Sequence, residues 1–122
     1  MMNSDKAVEY FQSLNPSLFD VLDRFEVRQT KPDEDSKVQL IVEIWLRVLL
    51  DEEEDLRRLH LTFFGVRDLK FQAQGLVKGF ELSIRSIKDY QWEGLRYEVH
   101  DKESLTPLSF YCWRFEADLI TL

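Results

Sequence analysis

Apolar and polar side chains alternate along residues 38–50. Every even-numbered residue of this stretch is aliphatic: Val38, Leu40, Val42, Ile44, Leu46, Val48 and Leu50. A side-chain period of two is typical of a β-strand with one face turned to the core. On the odd-numbered side, Ile41, Trp45 and Leu49 share the face with Glu43 and Arg47. Because that side is only partly polar, we expect the N-terminal helix or a second copy of the chain to cover it.

Residues 4–14 have their apolar side chains at helical spacing instead. These are Ala7, Val8, Phe11 and Leu14. Their stripe predicts an amphipathic helix with Asn3 or Ser4 as the N-cap and Asp5 in the first turn. Pro16 should end this helix, because its ring disfavours the helical conformation at the preceding residue.

Residues 17–29 fit two patterns. Leu18, Val21, Leu22 and Phe25 have the spacing of a short helix, whereas Phe25, Val27 and Gln29 have the spacing of a strand. We predict a brief helical turn that leads into a strand at about Phe25. The polar residues 31–36, which include Pro32, then predict a hairpin loop before the long strand.

Further segments with the strand period follow at intervals of roughly a dozen residues. Their apolar members are Leu59, Leu61 and Phe63; Phe80, Leu82 and Ile84; Leu95, Tyr97 and Val99; and Leu108, Phe110 and Cys112. Gly65 interrupts the pattern and predicts a bulge or tight bend. After Cys112 the apolar residues change phase to Trp113, Phe115, Ala117 and Leu119, which predicts a second bulge.

These patterns together predict one α+β domain over residues 1–122. We expect a mainly antiparallel curved sheet or partly open β-barrel over about residues 25–120, with the N-terminal helix packed on it. A chain of 122 residues is long enough for one hydrophobic core. Its one cysteine excludes an internal disulfide and favours the cytoplasm. Neither a signal peptide nor a membrane-spanning helix is visible.

The net charge limits the classes of partner. The chain has 16 Lys and Arg against 23 Asp and Glu, and its formal charge is −7. A field of this sign repels phosphate backbones, and the sequence contains no basic cluster that would offset it, so we expect no nucleic-acid binding. The acidity is compatible with a basic protein partner and also with simple solubility.

Candidate catalytic and metal-ligating residues are few and scattered. His60 and His100, with Asp101, Glu103 and Cys112, would offer metal ligands only if the strands brought them together. The aromatic neighbours of Cys112 favour a buried structural thiol over a nucleophile. No phosphate-binding glycine loop or calcium loop is present. We therefore predict a non-enzymatic protein with no catalytic residues, no metal and no cofactor.

Two segments are the expected contact surface for a partner protein. The first is an acidic run at the tip of a predicted hairpin, made of Asp51, Glu52, Glu53, Glu54 and Asp55. The second is the turn-like stretch of residues 88–94, in which Tyr90 and Trp92 are the aromatic residues that we most expect to be exposed. Exposed Tyr and Trp are favoured as anchors of protein interfaces.

Four segments carry a likeness to known proteins: residues 61–71, with a Phe-Gly-Val bend at Phe64, Gly65 and Val66, and residues 80–84, 92–99 and 108–112. Together they resemble small bacterial β-rich proteins, some of which look like immunity proteins of polymorphic toxin systems. The resemblance covers roughly residues 37–119 and consists of strand patterning. It implies an inhibitor that acts by binding, and it brings no catalytic residues with it.

Three functional hypotheses follow. The first is an acidic, immunity-type inhibitor of a basic partner protein, because complementary charge speeds encounter. The second is a small-molecule carrier or enzyme with an apolar pocket in the mouth of the sheet. The third is a structural subunit, for example a homodimer, that associates through an edge strand.

Overall fold

The computed structural model describes residues 5–30, 38–48, 57–72, 81–87, 95–102 and 108–121. Within these ranges the chain forms one helix, one short 3-10 turn and eight strands. They are α1 (Lys6–Ser13), the 3-10 turn (Pro16–Leu18), β1 (Val21–Gln29), β2 (Leu40–Arg47), β3 (Arg57–Phe64), β4 (Arg67–Phe71), β5 (Leu82–Ser86), β6 (Tyr97–Asp101), β7 (Leu108–Cys112) and β8 (Arg114–Thr121). The predicted α+β fold with mostly antiparallel strands is thereby confirmed.

The strands of the described ranges form two four-stranded sheets that do not close into a barrel. The first sheet has the order β1-β2-β3-β8, and the second has the order β4-β7-β6-β5. Every neighbouring pair is antiparallel. The strand pairs on either side of β2 agree with the two predicted hairpins. Their loops, residues 31–37 and 49–56, lie outside the described residues.

The even-numbered side of β2 faces the core, as predicted. Val42, Ile44 and Leu46 are completely buried. Val38 differs from the prediction, because β2 begins only at residue 40 and Val38 is 53% exposed before it. Leu50 lies outside the described residues. The alternation therefore identified the strand and its core face but overestimated its length.

Helix α1 begins one residue after Asp5, which is the N-cap. The Asp5 carboxylate accepts hydrogen bonds from the backbone N–H groups of Ala7 and Val8 at 3.0 and 3.3 Å. These amides would otherwise lack partners in the first turn. The prediction of Asn3 or Ser4 as the cap was therefore wrong. The helix ends where predicted, since Asn15 has a left-handed φ of 55° directly before Pro16.

Strand β1 begins at Val21 and not at about Phe25. Val21 and Leu22 pair with Arg47 and Leu46 of β2, and a register shift follows between Leu22 and Arg24. A bulge of this kind adds a residue to one strand and changes the phase of its side chains. That change of phase is the reason that this segment has apolar residues at helical spacing.

The chain crosses between the sheets at two corners. Gly65 joins β3 to β4 with a φ of 66°, and Trp113 joins β7 to β8. The Trp113 N–H donates to the Phe64 carbonyl at 3.1 Å, so the two corners lie side by side. The bend predicted at Gly65 is confirmed. The phase change after Cys112 is a corner and not a bulge, because β7 and β8 turn their core faces toward each other from different sheets.

The two sheets pack face to face over an aromatic core. Phe63 of the first sheet meets Phe110 of the second edge to face, with ring centroids 4.9 Å apart. Helix α1 covers the side where β8 and β5 lie, and its Phe11 is fully buried with its ring 6.4 Å from that of Phe115. On the other side Phe25 of β1 stacks on Phe71 of β4 at 4.2 Å.

The expectation that the helix covers Trp45 was wrong. Trp45 lies on the face of the first sheet that points away from the core, whereas Phe11 packs with the core residues of both sheets. The apolar stripe of a helix is buried more completely between two sheets than on one outer face. The side chains that contact the Trp45 ring are those of Arg24 and His60.

One hydrogen bond ties α1 to the second sheet. The Tyr97 hydroxyl donates to Asp5 Oδ2 at 2.8 Å, while Asp5 Oδ1 caps the helix. Tyr97 is only 4% exposed, and its burial, with the Asp5 carboxylate beside it, raises the pKa of Tyr97 to about 12. The hydroxyl therefore stays protonated and able to donate across the physiological range of pH.

We expect Tyr97→Phe to lower the free energy of unfolding by about 1 to 2 kcal/mol, because it deletes this bond and keeps the ring. Asp5→Ala should cost more, since it also removes the helix cap. Urea denaturation measures both effects. Tyr10→Phe is the control, because Tyr10 is half exposed on α1. Equal midpoints for Tyr97→Phe and wild type would contradict this account.

Gly65 should also resist substitution. A Cβ atom at Gly65 would lie 2.4 Å from Trp113 Cδ1, and the backbone there has the left-handed φ that disfavours other residues. We expect Gly65→Ala to lower the free energy of unfolding by about 1 to 3 kcal/mol. In a Trp113→Ala background the same change should cost less, because only the backbone strain remains. Equal costs in the two backgrounds would show that the indole does not crowd Gly65.

Candidate functional site

The first sheet presents a polar face to the side away from the core, called here the outer face. The strand register aligns its residues in rows, which are Arg28, Ile41, Phe64 and Arg114; Glu26, Glu43, Thr62 and Glu116; and Arg24, Trp45, His60 and Asp118. Acidic and basic side chains thus surround a central tryptophan. Alternation along β2 and β3 places these side chains here, since their neighbours in sequence occupy the core.

Trp45 is held between its two cross-strand neighbours. The His60 ring stacks on the indole with centroids 4.6 Å apart and an angle of 13° between planes. The Arg24 guanidinium carbon lies 4.8 Å from the centre of the indole ring. Such aromatic and cation–π pairs stabilise a sheet face by cross-strand contact. The faces of the indole are therefore largely occupied by this chain's own residues.

Glu43 contacts two basic side chains on the outer face. Its Oε2 lies 2.9 Å from His60 Nε2, and its Oε1 accepts a hydrogen bond from Arg28 Nε at 3.1 Å. Burial alone would raise the pKa of Glu43, but the hydrogen bonds and charges of His60 and Arg28 outweigh it and lower that pKa below its usual value. Glu43 is therefore a carboxylate at neutral pH.

The His60 and Glu43 pair lacks the geometry of an acid–base relay. Thr62 Oγ1 is the neighbouring hydroxyl, and it lies 3.5 Å from His60 Nε2, the same ring nitrogen that contacts Glu43. A relay needs the hydroxyl and the carboxylate on different ring nitrogens. The arrangement orients side chains on the sheet and does not activate the hydroxyl.

Ion pairs between the strands order the rest of this face. Asp23 lies 3.3 Å from Arg47 and 3.2 Å from Arg58, so one acid joins β1 to β2 and β3. Arg24 also pairs with Glu26. Exposed pairs of this kind contribute little to stability, and their main effect is to hold side chains in fixed positions.

The net charge has an uneven distribution along the chain. In the described ranges basic and acidic residues are equal in number, so the whole formal charge of −7 belongs to the segments outside them. The largest share belongs to residues 51–55, five consecutive acids between β2 and β3. The two sheets are therefore an electrically balanced scaffold, and the excess negative charge lies in their connections.

The two histidines do not meet. His60 lies on the outer face of the first sheet, whereas His100 lies on the outer face of the second, where it borders a depression of about 510 Å³ with Glu98, Ser109 and Tyr111. The packed core separates the two imidazoles. In the described residues no group of three or more His, Cys, Asp or Glu side chains is placed to hold a metal ion. Glu103 lies outside those residues.

Cys112 is buried in the core as a free thiol, which confirms the structural interpretation of this residue. Desolvation raises the pKa of Cys112 to about 12. Because the thiolate is the nucleophilic form, this environment suppresses nucleophilic chemistry at neutral pH.

A second surface feature lies where the two corners meet. Val38, Leu40, Gly65, Val66, Arg67 and Trp113 line a depression of about 260 Å³, together with Gln39. We name this depression the corner site. Trp113 is 40% exposed there, although the apolar pattern placed it with the core residues of the last strand. The signal that could have identified the site is the combination of Gly65 with the phase change at Cys112.

The residues predicted as the contact surface lie outside the described residues. The acidic run, Asp51 to Asp55, connects Val48 to Arg57, and the segment with Tyr90 and Trp92 connects Ile87 to Leu95. Their role in binding stays a prediction. The outer face and the corner site, by contrast, were not identified from the sequence, because each combines residues from several strands.

The described residues contain no helix that is both long and apolar enough to cross a membrane. Comparison with known proteins gives one positive finding: the family model described as Immunity protein PIM8 matches residues 2–118. No curated protein and no solved structure matches the chain. The match covers nearly the whole chain, including β1 to β7 and the first five residues of β8, and agrees with the resemblance found in the strand pattern. The chain therefore belongs to the Immunity protein PIM8 family.

Proposed function

We propose that this chain is an inhibitor that neutralises a toxin by binding to it as a folded protein. Membership of an immunity protein family supports this role in general. The observation that carries the specific form of the proposal is the charge distribution. A balanced scaffold bears its excess negative charge in connecting segments, above all in residues 51–55. A basic surface on the toxin is the complement of that charge.

The acidic run acts mainly on the rate of association. Opposite charges steer two proteins toward each other over roughly one Debye length, which is about 8 Å at physiological ionic strength. This attraction speeds encounter and excludes unsuitable partners more than it strengthens the final complex. Tyr90 and Trp92 belong to the same proposal as aromatic contacts, since such residues supply large contact area when the interface closes.

The packed interior favours this function over a small-molecule carrier. Phe11, Phe63, Phe110 and Phe115 fill the space between the two sheets, and each is at most 5% exposed. An apolar ligand would need an open cavity in the region that these rings occupy. We place the inhibitor in the cytoplasm, where the free thiol of Cys112 is stable.

The proposal is tested with a purified toxin whose killing activity is suppressed when this chain is co-expressed with it. We expect neutralisation of Glu52, Glu53 and Glu54 to Gln to slow association about tenfold at low salt, with little change in dissociation. Stopped-flow measurements at several salt concentrations check this, and the salt dependence should weaken as well.

A matched control removes the same charge elsewhere. Glu9→Gln, Asp68→Asn and Asp118→Asn neutralise three exposed acids of the described surface. This variant should associate faster than the acidic-run variant, because its charges are dispersed. Equal association rates for both variants would leave the acidic run without a special role. Failure of the wild-type chain to bind the toxin would overturn the proposed function itself.

A further inference from the structure

The corner site presents an exposed aromatic ring in a fixed position. The Trp113 backbone is held by its hydrogen bond to the Phe64 carbonyl, and the indole lies over Gly65 so closely that only glycine leaves room for it. Most exposed side chains lose rotamer freedom when they bind a partner, and this loss opposes binding. The Trp113 ring has lost part of that freedom already, so less is lost on binding.

The floor and wall beside this ring are apolar. Val66, Leu40 and Val38 line the depression; Val66 is buried, whereas Val38 is 53% exposed. Trp45 is a weaker candidate for an anchor, because Arg24 and His60 already cover its ring. Trp113 therefore combines exposure, restraint and an adjoining apolar depression, which are the features of an interface hot spot.

The rim of the corner site is basic. Arg67 is exposed and makes no ion pair with any described residue. The guanidinium carbon of Arg114 lies 4.0 Å from the Phe64 ring centre and 5.9 Å from the Trp113 ring centre. An ion pair with Glu116 partly neutralises the Arg114 charge. An acidic group on the partner, next to its apolar side chain, is the chemistry that this rim complements.

We propose that the corner site anchors the toxin by accepting one apolar side chain that is flanked by a carboxylate. This inference rests on the proposed function and adds a second contact surface for the toxin, besides the acidic run. Arg47 and Arg58 pair at the end of the first sheet where the chain leaves β2 toward the acidic run and returns in β3, whereas the corner site lies at the other end, beyond Ile41 and Phe64. The acidic run therefore speeds association, and the corner site slows dissociation.

The direct test is the dissociation rate of Trp113→Ala from the toxin that is used to test the proposed function. Truncation of an interface hot spot should speed dissociation at least about 30-fold, with little change in the association rate. Tyr10→Ala is the matched control, since Tyr10 is a half-exposed aromatic residue on α1. Surface plasmon resonance measures both variants, and thermal melting confirms that both are folded.

Two further variants keep the test valid if Trp113→Ala disturbs the fold. Val38→Asp changes an exposed residue that precedes β2, so the core is unaffected, and we expect about tenfold faster dissociation. Arg67→Glu should weaken binding by a similar factor through repulsion of the carboxylate, and Arg67→Lys should restore most of the affinity.

The outcomes separate the two proposals. A wild-type chain that does not bind the toxin overturns the proposed function. A wild-type chain that binds, with Trp113→Ala, Val38→Asp and Arg67→Glu dissociating as slowly as Tyr10→Ala, overturns the corner site alone. Sedimentation velocity tests whether a second copy of this chain occupies the corner site instead. If Trp113→Ala makes a homodimer dissociate but leaves toxin binding unchanged, the site binds a second copy of this chain and its role as a toxin anchor is refuted.

Discussion

The close approach of the two corners is the constraint on which the rest of this structure depends. Gly65 carries the chain from the first sheet to the second, and Trp113 carries it back beside the same point. Only glycine satisfies both the left-handed backbone and the contact with the indole. Because the crossings coincide, the two sheets face each other and share one aromatic core, which α1 closes on the side of β5 and β8.

This architecture separates stability from recognition. The core side of each strand is filled by aliphatic and aromatic residues, so the opposite sides are free to carry charge without loss of packing. The outer face of the first sheet carries ordered ion pairs, and Trp113 is exposed at the corner between the sheets. An inhibitor that acts by contact needs this kind of rigid and chemically varied surface.

The distribution of reactive groups is in keeping with such a role. The thiol of Cys112 is buried, and its pKa is raised. The side chains of Glu43 and Thr62 both approach the same ring nitrogen of His60, Nε2. His100 lies across the core from His60. Among the described residues, the side chains of Cys112, His60 and His100 are thus dispersed or occupied. Membership of the PIM8 family agrees with this distribution.

Periodicity along the chain by itself determined the helix near the N-terminus and most of the strands with their core faces, because local side-chain spacing decides which face of an element is apolar. Gly65 marked the bend. The tertiary structure alone decided that the strands divide into two sheets, that α1 packs between them and leaves Trp45 uncovered, and that Trp113 is exposed. These features depend on contacts between residues far apart in sequence, such as Tyr97 with Asp5 and Gly65 with Trp113. A periodic pattern records which residues avoid water, but not which distant residues they meet.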